Sequence, residues 1–144
     1  MSEMVKDLTI WIPGQPATVT AQQKIITKGG RIFDNRRVQE ARARLFWKLK
    51  EHSPAEPLDG TLSVEITWAF ERKGQSDFEW KNTRPDLDNL AKLLLDELVR
   101  AGIIADDSRV VELTLRKLWA PKDAAGIKII VAKILHLTSV SECV

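Results

Sequence analysis

Cysteine is almost missing from this chain: of 144 residues only Cys143 is one. A single thiol cannot close an internal bridge, and no Cys/His spacing suited to zinc is present. Histidine is as scarce, with His52 and His136 far apart in sequence. A histidine-built metal centre or a Ser–His–Asp site therefore has little to draw on. No apolar run approaches the roughly 18 residues that mark a membrane span. Met1 to Asp7 mixes acidic and basic residues without an apolar stretch. The expectation is a chain with no secretory signal and no membrane association, working in a reducing, intracellular compartment. Internal repeats, low-complexity tracts and a glycine-rich phosphate loop are also missing.

What remains is ordinary globular material. Hydrophobic residues make up 44% and charged residues 29%, enough for one core without a staple. Residues 1–144 are expected to form a single domain. Net charge is only +2, but it is unevenly spread. Between Lys24 and Lys50 nine basic residues face two acids, Asp34 and Glu40. That segment is a candidate for polyanion contact, or simply a solvated helix face.

Periodicity gives a coarse map. Leu8 to Ile12 alternates as a short strand, closed by Pro13-Gly14-Gln15-Pro16. Thr18 to Asn35 is polar and basic around Gly29-Gly30 and is expected to be a loop. Asn35 to about His52 has helical spacing through Val38, Ala41 and Leu45. Gly60 to Phe70 alternates Leu62, Val64, Ile66 and Trp68 with polar residues, as a half-buried strand does. Glu71 to Thr83 is expected to be a second loop. From Asp86 to Arg100 an apolar stripe of Leu87, Leu90, Ala91, Leu94 and Leu98 marks a helix, with Pro85 before it and Gly102 after it. Val110 to Trp119 and Ile127 to Leu135 complete the set as strands. The order strand, helix, strand, helix, strand, strand predicts an α+β domain, helices packed on a mixed sheet. Trp11, Trp68 and Trp119 fall in strands and suit a core or a dimer interface. Trp80, in a polar loop, is a candidate for stacking on an unpaired base.

The chemistry concentrates in Arg84-Pro85-Asp86-Leu87-Asp88-Asn89-Leu90-Ala91-Lys92, with Asp106-Asp107 beyond the helix. Asp86 and Asp88 straddle a helix start, where two carboxylates can converge. Lys92 lies one turn past Asp88 on the same face. If the strand after the helix begins beside that start, three carboxylates and an ammonium meet. Clustered carboxylates repel one another and invite a cation. Hard oxygens suit Mg²⁺, which activates water and offsets charge in phosphodiester hydrolysis. The plainer alternative stays open: acids at a helix start cap free N–H groups, Asp88 and Lys92 form an ordinary ion pair, and Asp-Asp-Ser is turn chemistry.

The string Arg-Pro-Asp-Leu-Asp-Asn-x-x-Lys, followed by Leu-Leu-Asp-Glu-Leu and Gly-Ile-Ile-x-Asp-Asp-Ser-x-Val, resembles the RusA family of Holliday junction resolvases. The dense part of the match runs from Arg84 to about Lys117. The resemblance implies a RusA-like α+β fold and a metal-dependent endonuclease of bacterial or phage origin, cytoplasmic, acting in DNA recombination and repair. It implies three metal-binding acids, Asp86, Asp88 and Asp107, and a functional lysine, Lys92; beside them Asp106 and Asn89 are candidates for support. Mg²⁺ is the expected ion, with Mn²⁺ as an open substitute. A homodimer is also implied, one site for each strand of a two-fold four-way junction. Beside such a motif Lys28, Arg31, Arg36, Arg37 and Arg84 become phosphate contacts. One stretch departs from the pattern. Many relatives carry an Arg-Pro-Arg-like stretch after the first strand, where this chain has Thr18 to Lys24, poor in charge. The competing readings are a non-catalytic DNA-binding or scaffolding module and, further off, a small-molecule phosphohydrolase.

Overall fold

The computed structural model describes residues 4–19, 24–26, 29–30, 32–34 and 36–135. Strand β1 covers Met4–Pro13, β4 Leu62–Glu71, β5 Glu79–Trp80, β6 Val110–Ala120 and β7 Gly126–Ile134. Two helices, α1 (Arg36–Lys50) and α2 (Leu87–Arg100), lie between them. The five strands form one sheet in the order β1-β7-β4-β6-β5. All neighbours are antiparallel except β4 and β6, which run parallel in the register Trp68 beside Lys117 and Phe70 beside Trp119. The α+β expectation holds, and the sheet is mixed.

A parallel pair needs a crossover, and here α2 supplies it. The chain leaves the end of β4, runs down the margin of β6 as β5, and then turns into α2. The helix carries it back to the start of β6. The apolar stripe of α2 packs on the sheet face built from Ile10, Ile12, Val64, Ile66, Trp68, Phe70, Ile129 and Val131. These are alternate residues of their strands, so one face is buried and the other carries Ser63, Glu65, Thr67 and Arg116. Gly126 allows a close approach: a Cβ there would run into the Trp11 ring.

Two segments expected to be loops hold extra strands. Strands β2 (Lys24–Ile26) and β3 (Ile32–Asp34) pair antiparallel as a small hairpin across Gly29 and Gly30, where Gly30 has φ 78°. Three-residue apolar-bearing runs in polar company give too short a pattern to read. Strand β5 likewise sits in the second loop, and only two residues of it are paired.

Helix α1 covers α2 through Val38, Ala41 and Leu93 at one end. At the other end Lys50 and Ser53 donate to the Ala101 carbonyl. The helices therefore run in the same sense, and Arg36 and Arg37 stand at the end where α2 begins. Between them Glu97 is wholly buried and pairs with Arg100 at 2.5 Å and Arg42 at 3.5 Å. Burial pushes its carboxyl up, and the two guanidiniums pull it back. Glu97→Ala removes the buried counter-charge of Arg42, which also pairs with Asp96 at 3.6 Å. The expected cost is about 2–3 kcal/mol in urea unfolding, with Glu97→Gln, which keeps an acceptor, costing less.

Candidate functional site

Asp86 occupies the N-cap position of α2, with extended backbone (φ −73°, ψ 144°). Its carbonyl accepts from the Leu90 amide at 3.1 Å, yet its carboxylate makes no capping hydrogen bond. The plain role for an acid at this position is thus unused. Asp88 is exposed in the first turn. Lys92 is exposed one turn on, and Asp96, a further turn along, pairs with Arg42 rather than with Lys92. Asn89 is half-buried beside them. Arg84 is exposed next to Asp86.

The segment that delivers Asp86 is held by two lysines. Lys81 is buried, over the rings of Trp119 (4.2 Å) and Phe70 (5.4 Å). Its ammonium donates to Thr83 Oγ1 at 2.6 Å, the Arg84 carbonyl at 2.5 Å and the Thr83 carbonyl at 3.5 Å. Lys117, on β6, donates to the Thr83 carbonyl at 2.5 Å and the Pro85 carbonyl at 2.8 Å. Burial, then the charges of Lys117 and Arg72, hold the Lys81 ammonium below its ordinary value. Neither lysine was singled out by the sequence reading. The available signal was Lys117 itself: it takes an inward position in the alternation Leu113, Leu115, Lys117, Trp119.

Asp106 and Asp107 sit in a 3-10 turn, Asp107–Arg109, which Arg109 ties to Asp59 at 2.8 Å. Ser108 Oγ donates to Asp106 Oδ2 at 2.9 Å, and that bond, followed by one with Asp107, holds Asp106 low. Asp107 is pushed up, first by its hydrogen bond with Asp106, then by slight desolvation and the charges of Asp106 and Asp96. Adjacent carboxylates of like charge repel, and a cation would offset that repulsion.

These two acidic ends do not meet within one chain. α2 has 14 residues, so its ends are about 21 Å apart. Because β4 and β6 are parallel, the turn bearing Asp107 lies beside the start of β4, where Leu58 pairs with Ile104. Asp86 lies towards the other end, next to Lys117. Among the described residues no three Asp, Glu, His or Cys side chains gather around a common point. The condition set on the sequence, that β6 begin beside the helix start, is not met.

The basic residues divide. Arg36 is exposed and paired with Glu40 at 2.9 Å. Arg37 and Arg44 line a surface hollow with Gln15 to Val19. Lys28 and Arg31 lie outside the described residues. Trp68 is core, Trp119 lies under Arg72 and Lys81, and Trp11, Trp47 and Trp80 are exposed. Phe78 and Trp80, two residues apart at the sheet margin, are exposed just before the acids.

A mixed sheet with a helical crossover, exposed acids at the helix start and a cationic clamp behind them make up an α+β domain with its chemistry at one end of α2. Comparison with known families is specific: the family model described as endodeoxyribonuclease RusA matches residues 13–132, and the chain belongs to that family. Among curated proteins it is similar to a crossover junction endodeoxyribonuclease RusA of Aquifex aeolicus. They are 29% identical over 130 residues, 90% of this chain and 94% of that protein. A crossover junction endodeoxyribonuclease of Lactococcus phage r1t is 38% identical over 68 residues, 47% of this chain and 51% of that protein. Membership implies nuclease chemistry with a divalent metal.

Proposed function

We propose that this protein is an endodeoxyribonuclease that resolves four-way DNA junctions by paired nicks, using Mg²⁺ held by Asp86 and Asp88 of one chain and Asp107 of a second copy. The observation that carries the reading is the unused carboxylate of Asp86 at a helix cap, beside exposed Asp88, in a family named for this cleavage. Hard carboxylate oxygens in solvent fit a divalent ion that keeps most of its waters. When bound, that ion supplies charge neutralisation and an activated water. Lys92 adds a positive charge on the same helix face. Arg36 and Arg37, at the α2 start end of α1, and Arg84 take phosphates, with Lys28 and Arg31 extending the same basic segment.

The second copy follows from the separation of the acids. Strand β6 is paired with β5 only at Leu118 and Trp119, and the Lys81 amide reaches Lys117 at 3.1 Å. From Val110 to Arg116 the outer edge has no strand partner among the described residues. That edge exposes Val111 (61%) and Leu113 (41%), an apolar margin that isolated proteins usually blunt. Two copies pairing there antiparallel about a two-fold axis near Glu112 bury it. Asp107 and Lys117 lie equally far from Glu112 in sequence, on opposite sides. Such pairing brings Asp107 of the partner subunit to the level of Lys117 along β6, next to the 81–85 segment and so towards Asp86. Each dimer then has two composite sites, matching two symmetric strands.

Metal removal tests the reading. A synthetic four-way junction is expected to be nicked symmetrically with Mg²⁺, to stay intact in EDTA, and to be cut again when Mg²⁺ is restored. Junction binding in EDTA should persist. Salt-sensitive binding with no nicking under any divalent ion would leave only a scaffolding module.

A further inference from the structure

Three consecutive carbonyls, those of Thr83, Arg84 and Pro85, point their acceptors at two ammonium groups. Lys81 uses all three of its N–H donors here: Thr83 Oγ1, the Thr83 carbonyl and the Arg84 carbonyl. Lys117 places its bonds on the two flanking carbonyls of the same three. An ammonium buried over Trp119 and Phe70 is kept only when its protons are satisfied, and this segment satisfies them. The bonds do not join one core element to another. They fix a stretch outside any helix or strand, whose next residue is Asp86. The two lysines come from a strand margin and a sheet strand, so the rigid sheet dictates where the helix start, and with it Asp86 and Asp88, must stand.

We propose that Lys81 and Lys117 are positioning residues that set the geometry of the Asp86–Asp88 carboxylate pair for its divalent ion, acting through the 83–85 backbone. This rests on the metal role given to those acids above. Neither lysine reaches the reacting phosphate. Their part is the one that outer partners of metal ligands play, where loss weakens ion affinity or activity by about ten- to a hundredfold. Lys117 is the cleaner test, because it is only half-buried and its long stem can be matched by methionine.

The experiment compares Lys117→Met, Lys117→Arg and Asp88→Asn with the unaltered protein. Hydrogen exchange in the metal-free protein reads the clamp directly. In Lys117→Met the amides of residue 84 and residues 86–89 are expected to exchange about tenfold faster while those of β4 and β7 are unchanged. Junction nicking titrated with Mg²⁺ should need about ten times more ion for half-maximal rate. Lys117→Arg, which keeps two donors for the carbonyls, should recover most of both. Junction affinity in EDTA should match the unaltered protein. Unchanged exchange and unchanged Mg²⁺ dependence in a folded Lys117→Met overturn the proposal, even while Asp88→Asn abolishes cleavage. Weakened junction binding with an unchanged Mg²⁺ curve overturns it too, and makes Lys117 a DNA contact. If Asp88→Asn itself cuts normally, the metal reading underneath has failed instead. Lys81→Met is expected to act in the same direction, and its folding is checked by thermal unfolding.

Discussion

Asp88→Asn is expected to lower junction nicking by at least about a thousandfold while leaving the fold and the dimer intact. The side chain is exposed and in the first turn of α2, so no core packing depends on it. Asparagine keeps the shape and one acceptor oxygen, but removes the charge that a hard cation requires. A thousandfold corresponds to about 4 kcal/mol, within the several kcal/mol that a metal-held charge supplies to a transition state. Binding should move the other way. A carboxylate near a phosphate repels it, and removing that repulsion is worth about 1 kcal/mol once salt screens it. Junction affinity in EDTA is therefore expected to hold or to tighten a few-fold. Loss of binding together with cleavage would mean that the substitution disturbed the α2 start rather than its chemistry. Gel-shift and nicking measurements on the same junction separate the two.

The sequence was most legible where local rules act alone. The Pro85 to Gly102 frame and the stripe through Leu90, Leu94 and Leu98 placed α2 within a residue of its ends. The alternation in Leu62 to Phe70 placed β4 and its buried face. Short elements escaped: the β2–β3 hairpin rests on three-residue strands, and β5 on two paired residues. Neither gives enough repeats for a period to emerge. Pairing was illegible for a different reason. Whether β6 lies parallel to β4 is decided by contacts about fifty residues apart, such as Trp68 beside Lys117. That one choice sends α2 back along the sheet and separates Asp86 from Asp107.

The acids themselves were legible because their string is distinctive, yet their meeting was not. The clamp was hidden in another way. Lys81 reads as one more charge in a polar loop, and only the folded sheet shows its ammonium over Trp119 and against the backbone of Thr83 and Arg84. Glu97, one residue from Asp96 in the same helix, looks equally available in sequence but is buried against Arg42 and Arg100. It belongs to the seam between α1 and α2.

The second large expectation concerns how the two acidic ends combine. In the proposed dimer each composite site takes Asp88 from one chain and Asp107 from the other. Homodimers of Asp88→Asn and of Asp107→Asn are then both inactive, since every site lacks one acid. A heterodimer of the two variants differs. One of its sites lacks both acids, while the other has both intact. Random mixing of refolded chains makes half of the dimers mixed, so about a quarter of the unaltered site concentration returns. Because each active dimer has one site, a cruciform plasmid should be nicked to open circles and not linearised by paired cuts. The same mixture with Leu113→Lys added to both chains should show no rescue, because the exposed β6 edge no longer pairs.

Co-refolding the two inactive variants and assaying that plasmid is the most direct measurement. Nicking at about a quarter of the unaltered rate, from two proteins each inert alone, is the result expected of a site assembled across the two-fold. A mixture as inert as its parts, with heterodimers demonstrated by co-purification through a different affinity tag on each variant, would contradict it and return all three carboxylates to a single chain.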